Sequence, residues 1–403
     1  MSRRSSVLGV LGLALAATFV ACGRAPEVHR PQPSAKVDAT TVELVESFPL
    51  ETALGHPDVP DAKDVWVTMI DGARATLDVA EFYLSDDPRA SAESPSALGR
   101  VVAAIERAAA RGVRVRVLVD ASFLPKYPEV PERLRAMRGV ELRAIDGAKA
   151  FGGGILHAKY FVVDGTSAYL GSQNFDYRSL EHIHELGVRT TDSGVVTGLG
   201  RTFARDYAFA GGEPTAAPAE PPLAAPSPRT TFAASPRDAL PEGIAWDLPL
   251  LVAELRRAHR EICVAMLTYK AKMRDGSDFT DLDTELRAAT KRGVRVRLVV
   301  GSWRATEPSL LALRDAGVEV HAVEVPRWSG GEIPFARVVH AKYLVVDRER
   351  AWLGTSNWEG DYFLKSRNVG LFVNDSAFAG RLHGIFEDTV THLREARPDG
   401  GAP

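Results

Sequence analysis

The sequence predicts an α/β fold made of two pseudo-symmetric halves, each with a mixed sheet flanked by helices. The prediction depends first on an octapeptide at residues 157–164, HAKYFVVD, which recurs at 340–347 as HAKYLVVD. A second pair of similar segments, RGVRVRVLVD from Arg111 and RGVRVRLVVG from Arg292, is separated by nearly the same distance along the chain. Because the two separations almost agree, the duplication covers whole domains and not one motif alone.

Each half is predicted from the same series of patterns. Apolar runs at 75–84 and 260–269 predict a first strand, and the segments at 111–120 and 292–301 predict a second. Between them, apolar residues spaced three and four apart at 97–110 and 282–291 predict a helix. The octapeptide then supplies a third strand, and helices at about 195–209 and 376–394 close the halves. This order indicates a mixed, largely parallel sheet in each half.

The segment at 211–241 is rich in proline and alanine, which predicts an extended linker and not a packed element. The predicted domains are therefore a first half at 43–210 and a second half at 242–396. With 403 residues, of which 45% are hydrophobic and 25% charged, the chain is long enough for two cores. A net charge of −3 gives no general electrostatic attraction to nucleic acid.

The N-terminal segment predicts export. Arg3 and Arg4 precede an apolar run at 7–20, which is short for a membrane span but typical of a signal peptide. The run ends in Phe-Val-Ala-Cys22, which resembles a bacterial lipoprotein signal. We therefore expect a signal peptide at 1–21, lipid on Cys22, and a tether at 22–42. The expected location is the bacterial cell envelope, with an outer-membrane lipid anchor; the alternative is a secreted protein.

The repeated octapeptide carries residues suited to chemistry on a phosphate ester. Strand alternation places His157 beside Lys159 on one face of the first copy, and His340 beside Lys342 in the second. Phosphoryl transfer needs a nucleophile, a proton donor for the leaving oxygen, and cations or N–H groups around the developing charge. One copy supplies only half of these groups. We therefore expect the two copies to converge on one site.

A small polar turn follows each octapeptide. The turns end in Asn174 and Asn357, which follow the histidines of their own copies at the same distance. Ser172 and Thr355 occupy equivalent positions in these turns and are candidate hydroxyl donors to a phosphate. The aspartates that end the two octapeptides are expected to hold the geometry of the strand and its turn: Asp164 and Asp347.

The duplicated pattern HxKxxxxD, followed by GSxN, resembles the phospholipase D superfamily. The segments GSQNFDYRSL, SWRATEPSL, IPFARVVHAKY and GTSNWEGDYF are more closely similar to its lysosomal branch of single-strand 5′-exonucleases and lysophospholipid transphosphatidylases. The resemblance runs from about residue 43 to the last helix. It implies two phospholipase D-like α/β halves around one shared active site. It also implies a covalent phosphohistidine intermediate, and no metal or other cofactor.

The resemblance also assigns roles by position. His157 is then the nucleophile, and His340 is the acid that protonates the leaving oxygen. The non-bridging phosphate oxygens are held by four side chains: Lys159, Lys342, Asn174 and Asn357. In many members a carboxylate at a fixed distance beyond a histidine accepts its Nδ1 proton; this position is Glu185 in the first half and Asn368 in the second. On this spacing we expect Glu185 to orient His157.

Three functions remain open from the sequence. The first is a phospholipase D-type phosphodiesterase that hydrolyses phospholipids or transfers their phosphatidyl group (transphosphatidylation). The second is a single-strand 5′-exonuclease acting on nucleic acid, and the third is a non-catalytic envelope protein, which two complete motifs disfavour. His182 and His184 have no third ligand nearby in the sequence, so no metal site is predicted. The sequence leaves the oligomeric state open.

Overall fold

The computed structural model describes residues 41–91, 93–213 and 229–395. The predicted signal peptide and Cys22 lie outside the described residues, as does the predicted tether except for its last two positions.

The first half contains these strands: β1 Val42–Ser47, β2 Thr76–Glu81, β3 Leu84–Ser85, β4 Arg114–Asp120, β5 Val140–Ile145, β6 Tyr160–Val163, β7 Ser167–Gly171, β8 Phe175–Asp176 and β9 Glu185–Thr190. Its helices are α1 Ala62–Asp71, α2 Ala97–Ala110, α3 Glu129–Ala136, α4 Gly147–Phe151, α5 Tyr177–Glu181 and α6 Ser193–Ala210. Its main sheet has the order β1-β9-β7-β6-β2-β4-β5, and β3 and β8 form a separate short pair.

The second half contains these strands: β10 Thr230–Ser235, β11 Ala245–Trp246, β12 Glu261–Ala265, β13 Arg295–Gly301, β14 Glu319–Glu324, β15 Tyr343–Val346, β16 Arg350–Gly354, β17 Asn368–Asn374 and β18 Arg394–Glu395. Its helices are α7 Asp247–Arg257, α8 Asp281–Lys291, α9 Pro308–Asp315, α10 Gly360–Leu364 and α11 Ser376–His392. Its sheet has the order β11-β10-β17-β16-β15-β12-β13-β14-β18.

The two sheets share one topology. The first sheet matches the run β10-β17-β16-β15-β12-β13-β14 of the second, strand for strand. The predicted duplication of whole α/β halves is therefore confirmed. The expectation of a largely parallel sheet is wrong, because only β2-β4-β5 and its counterpart β12-β13-β14 pair in parallel within these matching runs. The octapeptide strands instead pair antiparallel with both neighbours, since short turns and not helical crossovers connect β6 to β7 and β15 to β16.

One predicted boundary needs correction. Strand β10 lies inside the segment 211–241 that was predicted to be linker, and it pairs antiparallel with β17. The second half therefore begins by Thr230 and not at residue 242. Phe232, Ala233 and Ala234 of this strand are buried. Because the residues around this short strand are rich in proline, the composition of the segment resembles that of a linker. A proline immediately after a strand is nevertheless compatible with strand pairing.

The hydrophobic core has three parts. One cluster joins α6 and α11 to the faces of both sheets, so it holds the two halves together. A second cluster packs α1 and α2 on the outer face of the first sheet, and a third packs α7 and α8 on that of the second. Residues of the octapeptides divide as alternation requires: Phe161 lies in the outer cluster and Tyr160 in the central one. None of the described helices combines the length and the hydropathy needed to cross a bilayer.

Candidate active site

The two octapeptides bring their histidines to one cavity of about 310 Å³. His157 and His340 both line it, together with Asn174 and Asn357. The histidines and lysines were expected on the strands, but β6 and β15 begin one residue after each lysine. They lie just before the strands, where the backbone N–H of each histidine is bonded to the other half. The His157 N–H donates to the carbonyl of Arg367, and the His340 N–H donates to that of His184, each at 2.9 Å.

Each catalytic-site histidine is oriented by a side chain of the opposite half. Nδ1 of His340 lies 2.6 Å from Oε2 of Glu185, and Nδ1 of His157 lies 3.0 Å from Oδ1 of Asn368. The expected pairing of Glu185 with His157 is therefore wrong. Glu185 and His157 stand on the same half, but strands β9 and β17 each present their first residue to the motif of the other half.

Both histidines have lowered pKa values. The pKa of His157 lies well below its usual value, because burial disfavours the imidazolium and both lysines repel it. Burial also lowers the pKa of His340, to about 4, although the Glu185 carboxylate opposes this shift. Burial alone would raise the pKa of Glu185, but His340 and Lys342 hold this pKa below its usual value. The site thus holds a neutral imidazole at His157 and a carboxylate-backed imidazole at His340.

The two lysines are fully buried next to the histidines in the sequence, and neither is among the residues that line the cavity. Nζ of Lys159 donates to the His157 carbonyl, and Nζ of Lys342 donates to the His340 carbonyl, each at 2.5 Å. Burial and the repulsion of Lys342 hold the pKa of Lys159 well below its usual value, and burial lowers the pKa of Lys342 to about 7. A bound phosphate would restore the charge of both ammonium groups, since an adjacent anion favours the charged form.

The sequence interpretation did not identify Glu81 as a site residue. It ends β2, is 1% exposed, and accepts the Phe175 N–H at 3.3 Å. Burial raises its pKa well above the usual value, while Lys159 acts against this shift. The equivalent position beside β12 is Met266, so the second half has no such carboxylate here. The available sequence signal was a glutamate directly after the apolar residues Val79 and Ala80 at the end of the predicted strand.

The two asparagines lie beside the histidines at the cavity. Asn174 is 6% exposed, and its Nδ2 group donates to the Tyr83 hydroxyl at 3.5 Å; Asn357 is 2% exposed. Each has a buried amide oxygen with no hydrogen-bond partner among the described residues. Their placement beside the histidines agrees with the position that the motif spacing predicts for groups around a phosphate.

Ser172 and Thr355 occupy a different position from the one expected. The Ser172 hydroxyl donates to the Leu186 carbonyl at 3.2 Å, and the Thr355 hydroxyl donates to Oδ1 of Asn368 at 2.9 Å. Neither lines the cavity, and both are fully buried behind it. The expectation that they donate to phosphate is therefore corrected: they fix the first residues of β9 and β17, which orient the histidines.

Asp164 and Asp347 stand at the turns after the octapeptide strands. The Asp164 carboxylate accepts three consecutive backbone N–H groups, from residues 74–76, and that of Asp347 accepts three from residues 259–261. Both adopt a left-handed conformation, with φ of 53° and 55°. They join the turn to the start of the neighbouring strand, which is the geometric role expected from their position.

Aromatic side chains form one wall of the cavity. Tyr83 stacks on Phe123 with 5.5 Å between ring centroids and on Tyr127 with 4.9 Å. Phe82 lies edge-on to His157 at 5.2 Å, and the Lys126 ammonium lies 5.2 Å from the centroid of the Tyr127 ring.

The cavity lining also includes two rings that stand largely in solvent, Trp303 at 50% exposure and Phe335 at 76%. Two further aromatic residues, Trp358 and Tyr362, follow the second polar turn. Of these, Tyr362 lines the cavity, and Trp358 is buried outside its lining. The cavity is therefore bordered by aromatic side chains from both halves.

The histidines at 182 and 184 face different partners. His182 packs against the Trp328 ring at 4.8 Å, and Nε2 of His184 lies 2.9 Å from Glu46. Within the described ranges, the group of His, Cys and acidic side chains close enough to share a cation is Glu261, Cys263 and His383, none of which lines the cavity. Its carboxylate is already surrounded by arginines, so this group is an ion-pair cluster.

Comparison with known proteins agrees with this geometry. A family model described as "Cardiolipin synthase, PLD-like domain" matches the chain twice, at residues 66–207 and 251–390. The chain belongs to the phospholipase D superfamily. The two matches cover both octapeptides, so each half is one copy of the family's domain.

Named relatives of this phospholipase D family member fall into two groups. The chain is 31% identical to rat "5'-3' exonuclease PLD3" (Rattus norvegicus) over 395 residues, which cover 88% of this chain and 80% of the relative. It is 30% identical to "Phospholipase D Z" of Dictyostelium discoideum over 379 residues, with 86% and 88% covered. Among solved structures, phosphatidylserine synthase of Haemophilus influenzae superposes with a TM-score of 0.61 at 12% identity, covering 88% of this chain and 87% of that one. The last comparison supports the fold alone.

The chain is thus an enzyme of the phospholipase D type, a phosphodiesterase. Its two motifs are complete, and their histidines share one cavity. The non-catalytic alternative is therefore not supported.

Proposed function

We propose that the protein cleaves phosphodiesters at the 5′ end of single-stranded nucleic acid. The observation that carries this proposal is the aromatic wall beside His157. Three rings that stack on one another, with planes within about 25°, line the same cavity as His157: Tyr83, Phe123 and Tyr127. Stacking on aromatic side chains is how proteins hold unpaired bases without reading their sequence. Lys126 adds a cation at the same wall, where a strand's phosphates would pass.

The reaction proceeds in two steps. In the first, Nε2 of His157 attacks phosphorus, a P–N bond forms and a P–O ester bond breaks. The leaving oxygen takes a proton from the His340 imidazolium, whose formation the bound phosphate and Glu185 favour. In the second, neutral His340 accepts a proton from water as the water oxygen attacks phosphorus, and the P–N bond breaks. The two lysines and two asparagines stabilise charge on the non-bridging oxygens in both steps.

The crossed partners favour this division of roles. An amide partner at Asn368 orients the His157 imidazole without adding the negative charge that would favour its protonated form. The carboxylate of Glu185 stabilises an imidazolium at His340, which the first step consumes and the second step creates again. The role of nucleophile at His157 therefore rests on its neutral amide partner, and not on the pairing with Glu185 that the sequence spacing indicated.

A phospholipid substrate is the second candidate. It is favoured by the exposed apolar rings at the cavity rim, Trp303 and Phe335, which a lipid surface could cover. Similarity to a protein named phospholipase D Z supports it as well. In this case the second step can use an alcohol in place of water, which transfers the phosphatidyl group.

One substrate panel tests the proposal. Purified protein is incubated with 5′-hydroxyl single-stranded DNA, the same strand annealed to its complement, and phosphatidylcholine vesicles with and without ethanol. We expect stepwise shortening of the single strand from its 5′ end and slow reaction of the duplex. Lipid hydrolysis or phosphatidylethanol formation without any action on DNA would favour the second candidate. His157→Ala serves as the inactive control.

We also propose that the protein is anchored in a bacterial envelope by lipid on Cys22. The apolar run at 7–20 and the cysteine that follows support this proposal. Expression of the full chain and of Cys22→Ser in a Gram-negative host, followed by fractionation, provides the test. We expect the wild-type chain in the membrane fraction and an unprocessed precursor for the variant. A processed, soluble product in both cases would indicate an ordinary secretory signal.

A further inference from the structure

The two catalytic histidines are held through their backbone by equivalent residues of the opposite halves. The His184 carbonyl accepts the N–H groups of His340 at 2.9 Å and Ala341 at 3.1 Å. The Arg367 carbonyl accepts the His157 N–H at 2.9 Å. The spacing from His184 to Arg367 equals the spacing between the two histidines that they hold. Each residue also directly precedes the side chain that orients the imidazole, Glu185 or Asn368.

Each of these backbone holders is fixed by a buried carboxylate. The Arg367 guanidinium binds both oxygens of Asp206, at 2.6 and 2.9 Å, and is fully buried. Nε2 of His184 lies 2.9 Å from Oε1 of Glu46, with both side chains at most 1% exposed. We call these pairs the Arg367 clamp (Arg367 and Asp206) and the His184 clamp (His184 and Glu46).

The two clamps differ in their chemistry. A guanidinium keeps its charge over the whole physiological pH range, so the Arg367 clamp is a permanent ion pair. The donors to the carboxylate of the His184 clamp are imidazoles, because Glu46 accepts from Nδ1 of His56 at 2.9 Å as well as from His184. Nε2 of His56 in turn lies 3.1 Å from Asp388, whose side chain is 43% exposed. A chain of side chains therefore connects the surface to the residue that holds His340.

We propose that His184 and Glu46 are positioning residues for His340, and that protonation of the His56–Glu46 pair sets how firmly they hold it. They do not touch the cavity, and they act through the peptide that carries Glu185 and the carbonyl to which His340 is bonded. The Arg367 clamp holds His157 in the same way at every working pH. The inference uses the proposed mechanism only in naming His340 as the acid and base.

The surroundings of Glu46 determine the direction of the pH effect. The charged and titratable groups around Glu46 and His56 lie on the loop after β1, on β15 and on α11: Asp58, Tyr343, Arg381 and Asp388. The Glu46 and Asp388 partners raise the pKa of His56 against burial and Arg381. Burial alone would raise the pKa of Glu46, but the two imidazoles bring it below its usual value. The imidazolium–carboxylate pair is thus complete between the lowered pKa of Glu46 and the raised pKa of His56, and it is lost as pH rises through the latter. Above that pH the buried Glu46 carboxylate loses the charge of its His56 partner, so we expect the His184 clamp to loosen on the alkaline side.

Steady-state kinetics on the full chain test this inference, with a p-nitrophenyl phosphodiester as substrate. His184→Leu removes the donor to Glu46, and His184→Gln keeps an amide donor. We expect His184→Leu to lower kcat by roughly 10- to 100-fold, the loss expected for a small misplacement of a catalytic group. KM should stay within about twofold of wild type because no substrate contact is lost. His184→Gln should recover most of kcat, which a residue that only fills space would not show.

The pH profile of kcat supplies a second measurement. The alkaline decline that follows His56 should be absent from His56→Gln, which lies at the outer end of the chain of side chains. If His184→Leu does not fold, His56→Gln alone decides the test, and a pH profile of kcat that matches the wild-type profile would overturn the inference. A folded His184→Leu with wild-type kcat would also overturn it. So would an equal loss of kcat in His184→Leu and His184→Gln. His157→Ala, assayed in parallel, separates the two proposals: activity in that variant would contradict the mechanism and not the clamp.

Discussion

At the scale of single residues, the two histidines of the site differ in their hydrogen-bond partners and not in their own sequence positions within the repeated motif. His157 faces an amide and His340 faces a carboxylate, although their sequence contexts are almost identical. Burial keeps both imidazoles neutral before substrate binds. The difference appears only when one of them must take a proton, because only Glu185 can stabilise the resulting imidazolium.

This difference predicts where a covalent intermediate accumulates. In Glu185→Gln the second step should slow more than the first when the leaving group is p-nitrophenolate, since that group needs no proton. A phosphohistidine should then build up on His157. Peptide mass spectrometry of digests kept away from acid, after a brief pulse with substrate, would locate it. Label on the peptide that contains His340 would reverse the two roles. Asn368→Asp is the matched variant, and should not accumulate the adduct.

The buried lysines predict an acidic optimum for kcat/KM. This ratio reports the free enzyme, in which the pKa of Lys342 is lowered to about 7 and that of Lys159 is lowered as well. Both ammonium groups are charged below these values and lose their charge as pH rises. His157 remains neutral down to a pH well below its usual pKa, so the fall of kcat/KM on the acid side is shifted to lower pH. We expect kcat/KM to fall as pH rises past about 7. A profile measured from pH about 4 to 9 that rises through neutrality would contradict this.

Most members of the site could be predicted from the sequence, and their pairing could not. Spacing identifies Glu185 and Asn368 as equivalent positions, because each follows the histidine of its own half at the same distance. Spacing does not show which imidazole faces each side chain, since that depends on how the two halves dock. Ser172 and Thr355 were misassigned for a related reason: a hydroxyl in such a turn can face the phosphate or the strand behind it.

At the scale of elements, the aspartates after the octapeptides organise the junction between three pieces of chain. Each carboxylate satisfies three consecutive N–H groups at the start of β2 or β12, which would otherwise be unpaired near the strand end. The pKa of Asp347 is lowered by these bonds against burial. Its contribution to stability is present above the pKa of the unfolded chain and is lost as pH falls through the lower folded-state value.

We therefore expect Asp347→Asn to destabilise the fold by roughly 1–3 kcal/mol, the usual cost of leaving buried donors poorly paired. Urea denaturation at pH 7 and at pH 3 provides the measurement, and the difference between the two proteins should shrink at the lower pH. The exposed neighbour Glu349→Gln is the control and should unfold like wild type. An unaltered midpoint for Asp347→Asn at pH 7 would show that the turn does not need the charge.

Strand β10 shows why one element escaped sequence interpretation. Helices α2, α6, α8 and α11 were located correctly, because their apolar periodicity extends over several turns. β10 is short, and apart from Phe232 its buried residues are small or polar, two of them alanine. Alanine gives a weak strand signal, and its burial here comes from pairing with β17 and packing of α6, neither of which is a local property.

At the scale of the molecule, one site assembled from two halves predicts non-additive losses. Each half supplies one histidine, so His157→Ala or His340→Ala alone should lower turnover by about 10³-fold or more, and the double variant should be little worse. Turnover of a phosphodiester substrate, with thermal melting as a check on folding, gives the measurement. A single variant that keeps half of wild-type activity would mean two independent sites.

The lysine pair also predicts that activity persists without divalent metal. In the proposed mechanism two buried lysines and two asparagines stabilise the charge that develops on phosphate, so the chain itself supplies the role that a metal cation would otherwise have. We expect full activity in excess EDTA at the pH optimum. Loss of activity that one specific divalent cation restores, while other cations do not, would show that a metal takes part.

The exchange of orienting residues between the halves has a consequence for how such a chain can change. Neither half carries a self-sufficient histidine, since each receives its hydrogen-bond partner and its backbone acceptor from the other. A chain with a single copy could therefore form such a site only as a two-fold pair of identical chains, in which both histidines would have the same partner. Two copies within one chain are free of that constraint. One partner can be glutamate and the other asparagine, so that two histidines in nearly identical sequence contexts take different roles.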